Sequence, residues 1–277
     1  MNWLRLLSGL IAAALFLLIF GPARRFAQAS GWRAGRTLPV AFHRLLCFTV
    51  DARFRRHGTA SLAARRLIVA NHVSWLDIVL LGAIEPMTFL AKKEVGASFL
   101  GRQAAMLQGV VFVDRQRKRS ILGVNADMVR AMRAHEPVLL FAEATTGDGN
   151  RLLRFRSSHF EAIRRARADD SSGSGETVVQ PVFLHYSGIA GMPLARIDRP
   201  IVAWYGDMTF LPHLWRILRA GGVTCDVFYG DPIPVRASAN RKALARATEQ
   251  AVRRLAERAR ASNGSATSAI PAEPETV

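Results

Sequence analysis

The sequence is poor in cysteine and lacks two local patterns that often identify an enzyme. Cys47 and Cys225 are its only cysteines in 277 residues, so it offers neither a disulfide framework nor a cysteine zinc site. No cluster of His, Cys or acidic residues has the spacing of metal ligands, and no GxSxG segment supplies a nucleophile elbow. The sequence therefore predicts no metal and no serine nucleophile of the elbow type.

Acidic residues are also scarce. The chain has 21 Asp+Glu against 38 Lys+Arg, which gives a formal net charge of +17. Such a charge predicts an anionic partner, which can be nucleic acid, anionic lipid or a phosphorylated substrate. Because no basic stretch is interleaved with aromatic residues and the N-terminus is apolar, we expect anionic membrane lipid and no nucleic acid.

The N-terminal region is predicted to anchor the chain in a membrane. The segment between Arg5 and Arg24 is uncharged, and its length is near the lower limit for a spanning helix. A cleaved signal peptide is the alternative, because Ala27-Gln28-Ala29 resembles a cleavage site. The anchor is favoured because Arg24 and Arg25 precede that site. The excess of arginine after the apolar run places the body of the protein on the cytoplasmic side.

A second apolar stretch, Leu38 to Val50, is interrupted by His43 and Arg44. Its length and charge suit a helix lying at the membrane interface. A buried amphipathic helix of the soluble body is an equally open alternative. With the first segment, it makes residues 1–59 the predicted membrane-contacting region.

From Leu67 onward, β-rich runs alternate with helical patterns, which predicts an α/β fold with a mixed central sheet flanked by helices. We assign residues 60–235 to this domain, 236–260 to a basic C-terminal helix and 261–277 to a disordered tail. The predicted strands are 67–70, 110–113, 138–141, 178–184, 201–205 and 224–229. The predicted helices are 75–84, 97–107, 119–134, 157–168 and 239–260.

A histidine and an aspartate stand five residues apart where the first of these strands meets a helix. Five helical residues turn through about 500°, so His72 and Asp77 could not face each other on one continuous helix. With His72 in the loop and Asp77 in the first helical turn, the carboxylate can hold one ring N–H and leave the other nitrogen as a base. The alternative is a capping box, with Ser74 as the N-cap and Asp77 as its acidic partner.

Three segments resemble the signatures of the glycerolipid acyltransferases, the family of 1-acylglycerol-3-phosphate acyltransferase. Asn71 to Asp77 resembles the NHxxxxD signature, and Gly109 to Arg115 is similar to the GxxFxxR block. Phe141 to Thr146 resembles the FPEGT block, with alanine at the proline and glycine positions and Thr146 where arginine is common. The resemblance covers roughly residues 60 to 235.

This resemblance implies transfer of an acyl chain from acyl-CoA or acyl carrier protein to a glycerolipid hydroxyl, with no cofactor beyond that co-substrate. It makes His72 the general base and Asp77 the residue that orients it. Gly109 and Arg115 would bind a substrate phosphate, and Glu143 and Thr145 would help to form the acceptor site.

The acceptor expected first is 1-acylglycerol-3-phosphate, which would be converted to phosphatidic acid at the cytoplasmic face of the inner membrane. Residues 147–158 resemble a bacterial subgroup that also acylates lyso-ornithine lipid, so that lysolipid is the alternative acceptor. A non-catalytic membrane lipid-binding protein is the alternative from another class.

Overall fold

The computed structural model describes residues 3–29, 37–92, 110–113, 120–134, 136–169, 175–236 and 238–265. The helices are α1 (Trp3–Ala29), α2 (Leu38–Val50), α3 (Leu76–Ile84), α4 (Ser120–Arg133), α5 (Phe160–Ala168), α6 (Arg199–Val202), α7 (Phe210–Ala220) and α8 (Arg241–Ser265). The strands are β1 (Ala52–His57), β2 (Arg65–Ala70), β3 (Thr88–Lys92), β4 (Val111–Val113), β5 (Val138–Phe141), β6 (Thr177–Ile189), β7 (Met192–Pro193), β8 (Val223–Tyr229) and β9 (Ile233–Pro234).

The strands form one mixed sheet in the order β1-β8-β6-β2-β5-β3-β4, with β7 and β9 also paired to β6. The strands β6, β2, β5, β3 and β4 run parallel to one another, whereas β8 is antiparallel to β6. The predicted mixed α/β sheet is therefore confirmed. Its parallel part brings the carboxyl ends of β2 and β5 to the same edge.

The two faces of the sheet are covered by different helices, as the alternation of strand side chains requires. On β2, Ile68 and Ala70 join a core beneath α2 and α3. Leu67 and Val69 point to the opposite face, where Met128 of α4 and Ile163 of α5 complete a second core. All four of these β2 side chains are fully buried, as expected for a central strand.

The two N-terminal helices differ in their surroundings: α1 is a candidate membrane-spanning helix, and α2 packs against the body of the protein. In the described residues α1 provides one window, Trp3–Phe20, long and apolar enough to cross a membrane. Helix α2 buries Phe42 and Cys47 and packs on both α1 and α3, while Phe48 remains exposed. These contacts favour the packed-helix alternative for α2 over a helix that only lies at the interface.

The boundary expected at residue 59 is wrong, because β1 lies before it and is part of the central sheet. Three of its six residues are arginines, and among the described strands it pairs with β8 alone, so it carries the charge typical of an edge strand. Arg55 forms a two-pronged ion pair with Asp226 of β8, with both N···O distances 2.8 Å. Because the strand is rich in arginine, a prediction based on apolar runs did not identify it.

The structure corrects two other assignments and adds a helix that was missed, and two predictions cannot be compared. Residues 201–205 are not a strand, because the short helix α6 runs from Arg199 to Val202 with Pro200 in its first turn. Helix α7 was not predicted. Helix α8 continues to Ser265, so residues 261–265 are helical instead of disordered. The predicted helix 97–107 and the tail from residue 266 lie outside the described residues.

Close packing of α2 on α3 predicts a marked effect of Gly82→Ala. A Cβ at Gly82 would overlap the buried imidazole of His43, whereas a Cβ at Gly123 of α4 would meet no atom of the described residues within 4 Å. We expect Gly82→Ala to lower the free energy of unfolding by about 1–3 kcal/mol. Gly123→Ala should raise it by about 0.5–1 kcal/mol, because alanine favours helix.

Thermal unfolding of the full chain in detergent would measure both variants. A melting temperature for Gly82→Ala at or above that of Gly123→Ala would contradict this packing.

Candidate active site

The candidate site lies where the loops after β2 and β5 meet. Ala70 and Phe141 are paired at the carboxyl ends of these parallel strands, so His72 and Glu143 follow at the same edge. The Gly147 N–H donates to the His72 carbonyl oxygen at 2.8 Å, which joins the two loops directly. Two of the three sequence blocks are thus brought together by strand pairing.

The Asp77 carboxylate is the most heavily bonded group of the site. One of its oxygens, Oδ2, lies 2.8 Å from His72 Nδ1 and accepts the backbone N–H groups of Val73 at 2.7 Å and Ser74 at 3.0 Å. The other oxygen, Oδ1, accepts the Tyr186 hydroxyl at 2.5 Å. Asp77 is fully buried, and a carboxylate that receives four donors is well suited to such a position.

The hydrogen bonds of Asp77 agree in part with both sequence-based interpretations, the dyad with His72 and the capping box with Ser74. Helix α3 begins at Leu76, so Asp77 lies in its first turn and reaches back to the His72 ring, as the spacing predicts. It also bonds the Ser74 N–H, which is half of a capping box. The reciprocal half is missing, since the buried Ser74 hydroxyl has no hydrogen-bond partner in the described part of the chain.

The His72 imidazole is fixed in orientation as well as in position. Its ring stacks on Phe141 with centroids 3.9 Å apart and planes 9° from parallel. Because Asp77 accepts at Nδ1, the proton of the neutral ring belongs on that nitrogen, and Nε2 keeps its lone pair. The side chain is 16% exposed, so the ring is not sealed from solvent or substrate.

Glu143 supports the backbone of the same loop. Its Oε2 accepts the His72 N–H and its Oε1 accepts the Leu153 N–H, both at 2.7 Å. Burial raises the pKa of the Glu143 carboxyl to about 7, against the lowering effect of these two hydrogen bonds. Both oxygens are occupied by main-chain donors, so the side chain holds His72 in place.

The altered third block keeps the backbone that glycine would favour. Ala144 has φ of +61°, in the left-handed region, where a Cβ costs about 1 kcal/mol. Ala142 is buried in the second core, and its carbonyl accepts the Arg156 N–H at 2.8 Å. The chain therefore makes the turn with alanine, at some strain.

The remaining predicted site residues are spread more widely. Thr145 is exposed on the turn after Glu143. Gly109 and Arg115 lie outside the described residues, although β4 ends at Val113 on the edge that also carries His72. Among the described residues, no group of three His, Cys, Asp or Glu side chains is placed to hold a metal ion.

Two contacts of the site were missed by sequence reasoning. Tyr186 was not singled out because it lies 109 residues from Asp77, beyond the predicted end of its strand. Asn71, inside the first block, had no assigned role. Its amide bonds the Leu184 backbone in both directions, at 3.1 and 2.8 Å, and so ties the His72 loop to β6.

An imidazole supported by a buried carboxylate at the carboxyl edge of an α/β sheet is typical of an enzyme that uses general-base chemistry. A family model described as "Acyltransferase" matches residues 53–185 of this chain. The chain is 37% identical over 273 residues to the lyso-ornithine lipid O-acyltransferase of Rhizobium meliloti (strain 1021), covering 98% of this chain and 92% of that protein. The chain therefore belongs to the acyltransferase family and is an acyltransferase.

Further comparisons agree with this family. The lyso-ornithine lipid O-acyltransferase of Brucella abortus (strain 2308) is 39% identical over 230 residues, with 83% and 85% of the two chains covered. The 1-acyl-sn-glycerol-3-phosphate acyltransferase of Neisseria gonorrhoeae is 30% identical over 187 residues, with 68% of each covered. The crystal structure of PlsC, the 1-acyl-sn-glycerophosphate acyltransferase of Thermotoga maritima, shares the fold with a TM-score of 0.62 at 15% identity, covering 94% and 96% of the two chains.

The raised pKa of Glu143 predicts a pH-dependent stability. In the unfolded chain this carboxyl releases its proton near its ordinary pKa of 4.5, whereas the folded chain keeps it until about pH 7. The native state therefore binds more protons in this window, and stability is lost as pH rises from about 4.5 to 7. Glu143→Gln removes this titration, so its stability relative to the wild type should rise across the window by up to about 3 kcal/mol.

Denaturant unfolding of both proteins at pH 4.5, 5.5 and 7 would measure the difference. The free energy of unfolding of each protein is compared across pH, so the constant cost of replacing one carboxyl oxygen by an NH₂ group cancels. A difference that stays the same at all three values would mean that folding does not raise the pKa of Glu143.

Proposed function

We propose that this acyltransferase moves a fatty acyl chain from acyl-CoA or acyl carrier protein to the free hydroxyl of lyso-ornithine lipid. The observation that carries the chemistry is the contact of His72 Nδ1 with the buried Asp77 carboxylate, at 2.8 Å. The likeness to two lyso-ornithine lipid O-acyltransferases over most of the chain supports the acceptor. This choice replaces phosphatidic acid synthesis, which the sequence motifs alone favoured.

In the proposed reaction His72 is the general base. Its Nε2 takes the proton of the acceptor hydroxyl as the oxygen attacks the thioester carbonyl carbon. The C–S bond of the resulting tetrahedral intermediate then breaks, the ester remains on the acceptor, and the departing thiolate takes the proton back from the imidazolium. No acyl group is attached to the protein, so Ser74 has no covalent role.

Asp77 and Glu143 act as positioning residues in this scheme. The Asp77 carboxylate fixes the His72 tautomer and stabilises the imidazolium that forms during the attack. The Tyr186 hydroxyl donates to Asp77 Oδ1 and so fixes the rotation of the carboxylate, with Oδ2 toward the His72 ring. Glu143 fixes the backbone from which the imidazole projects, through the His72 N–H. Thr145 and the block of Gly109 and Arg115 are proposed to contact substrate.

The proposed location is the inner membrane, with the catalytic domain facing the cytoplasm. Helix α1 exposes large apolar side chains such as Leu4, Leu7 and Leu18, which suits contact with lipid. The net charge of +17 favours a surface rich in anionic lipid. An enzyme held at this surface meets a lysolipid acceptor without extracting it into water.

Replacing His72 tests the base. His72→Ala should lower acyl transfer by about 10² to 10⁴, because the proton acceptor is removed. The melting temperature should also fall, because Asp77 loses one of its donors and Phe141 loses the stacked ring. The control is His159→Ala, since His159 bonds Asn125 and lies away from the dyad. Release of free thiol from acyl-CoA in the presence of lyso-ornithine lipid gives the rate. Full activity of His72→Ala would remove the base.

An acceptor panel tests the substrate. With one labelled acyl donor, kcat/KM for lyso-ornithine lipid should exceed that for 1-acylglycerol-3-phosphate by at least about tenfold, equivalent to 1.4 kcal/mol in the transition state. The second acceptor is the alternative substrate because the Neisseria relative is a 1-acyl-sn-glycerol-3-phosphate acyltransferase. The reverse preference, accompanied by a large loss in Arg115→Ala, would identify the phosphorylated acceptor instead.

A further inference from the structure

A pocket adjoins the dyad on the side of β6. It is lined by Val73, Tyr186, Leu194, Arg199 and Val202, among others. Two of these residues connect it to Asp77, because the Val73 N–H and the Tyr186 hydroxyl both donate to that carboxylate. A group bound here would therefore lie beside the candidate active site, separated from the carboxylate by one layer of side chains.

Two arginines from different parts of the chain converge on the loop that borders this pocket. Arg199 of α6 donates from Nη1 to the Gly149 carbonyl at 3.0 Å and to Asn150 Oδ1 at 3.1 Å. Arg260 of α8 donates from Nη2 to the Asn150 carbonyl at 3.2 Å. Arg260 also lines a neighbouring pocket that includes His72 and shares Val73 and Gly149 with the first. The two arginines thus line adjacent pockets that share these wall residues.

The positive charge of Arg199 is not neutralised by an ion pair within the described residues. Burial, followed by the nearby charges of Arg260 and Arg196, lowers the pKa of Arg199. Asp148 is the acid that acts on it favourably, but the oxygens of Asp148 already accept the N–H groups of Asn150 and Arg151. A half-buried cation among like charges is costly unless an anion joins it.

We propose that Arg199, assisted by Arg260, binds the carboxylate of the acceptor headgroup. Ornithine that is amide-linked to an acyl chain keeps a free carboxylate, and a planar guanidinium matches the geometry of that group. The apolar walls from Leu194 and Val202 suit the methylene groups next to it. This inference rests on the proposed acceptor and assigns its anion to residues outside all three sequence blocks.

The test compares lyso-ornithine lipid with its carboxyl methyl ester, which lacks the negative charge and carries one additional methyl group. In full-length protein, Arg199→Ala should lower kcat/KM for the free acid by about tenfold to a hundredfold, the value of a hydrogen-bonded charge pair. The ester should lose much less, and KM for the acyl donor should stay the same. Arg260→Ala should show the same selectivity with a smaller loss, because its side chain is exposed.

Two control variants separate charge recognition from a structural effect. Asn150→Ala removes the side-chain oxygen that Arg199 contacts but keeps both charges and the two backbone carbonyl contacts, so it should preserve the preference for the acid over the ester. Arg258→Ala removes an exposed arginine of α8 that lines neither pocket, and it should behave like the wild type. Equal losses on acid and ester in Arg199→Ala, or a raised KM for the donor, would overturn the assignment.

Direct binding distinguishes failure of this inference from failure of the proposed function. The inactive His72→Ala protein in detergent should bind the free acid about tenfold or more tightly than the ester, and adding Arg199→Ala should remove that difference. Retention of the difference would overturn the inference even if acyl transfer to lyso-ornithine lipid is observed. If Arg199→Ala weakened the binding of 1-acylglycerol-3-phosphate but not that of the free acid, the inference would be overturned as well. The anion bound by the arginines would then be phosphate.

Discussion

The buried Asp77 carboxylate is the constraint on which the site depends. A charge with no exposure to solvent must be satisfied by donors, and it receives them from its own helix start, from the His72 ring and from β6. Each donor is thereby fixed relative to the others. The same bonds that solvate the charge set the start of α3, the path of the loop and the tautomer of the imidazole.

The sheet supplies the second constraint. The loops that carry His72 and Glu143 follow paired ends of parallel strands, so their separation is set by the spacing of the sheet. Glu143 then bridges the His72 backbone to Leu153, and Asn71 ties the same loop to Leu184 of β6. The imidazole is held from three neighbouring strands, which is the rigidity that a general base requires.

The sequence predicted the parts of this arrangement that are local. Short continuous apolar runs identified β2 and β5, and the five-residue spacing of His72 and Asp77 fixed their contact once a helix start was placed between them. Contacts between distant segments left no such signal. Tyr186 joins Asp77 across 109 residues, and the charged strand β1 shows none of the apolar pattern of the central strands. Sequence periodicity reports burial, whereas these features depend on charge pairing that only the fold brings about.

The third block keeps its turn although alanine stands where glycine is common. Ala144 keeps the left-handed turn, so the carboxylate of Glu143 still reaches the His72 backbone. Beyond the turn, the 147–151 loop is bonded to the His72 carbonyl at one end and to Arg199 and Arg260 at the other. The strained turn at Ala144 keeps His72 in position, and Arg199 and Arg260 donate hydrogen bonds to the far end of the loop. The proposed base and the inferred headgroup contact are therefore assigned to different residues, so one can vary while the other is held.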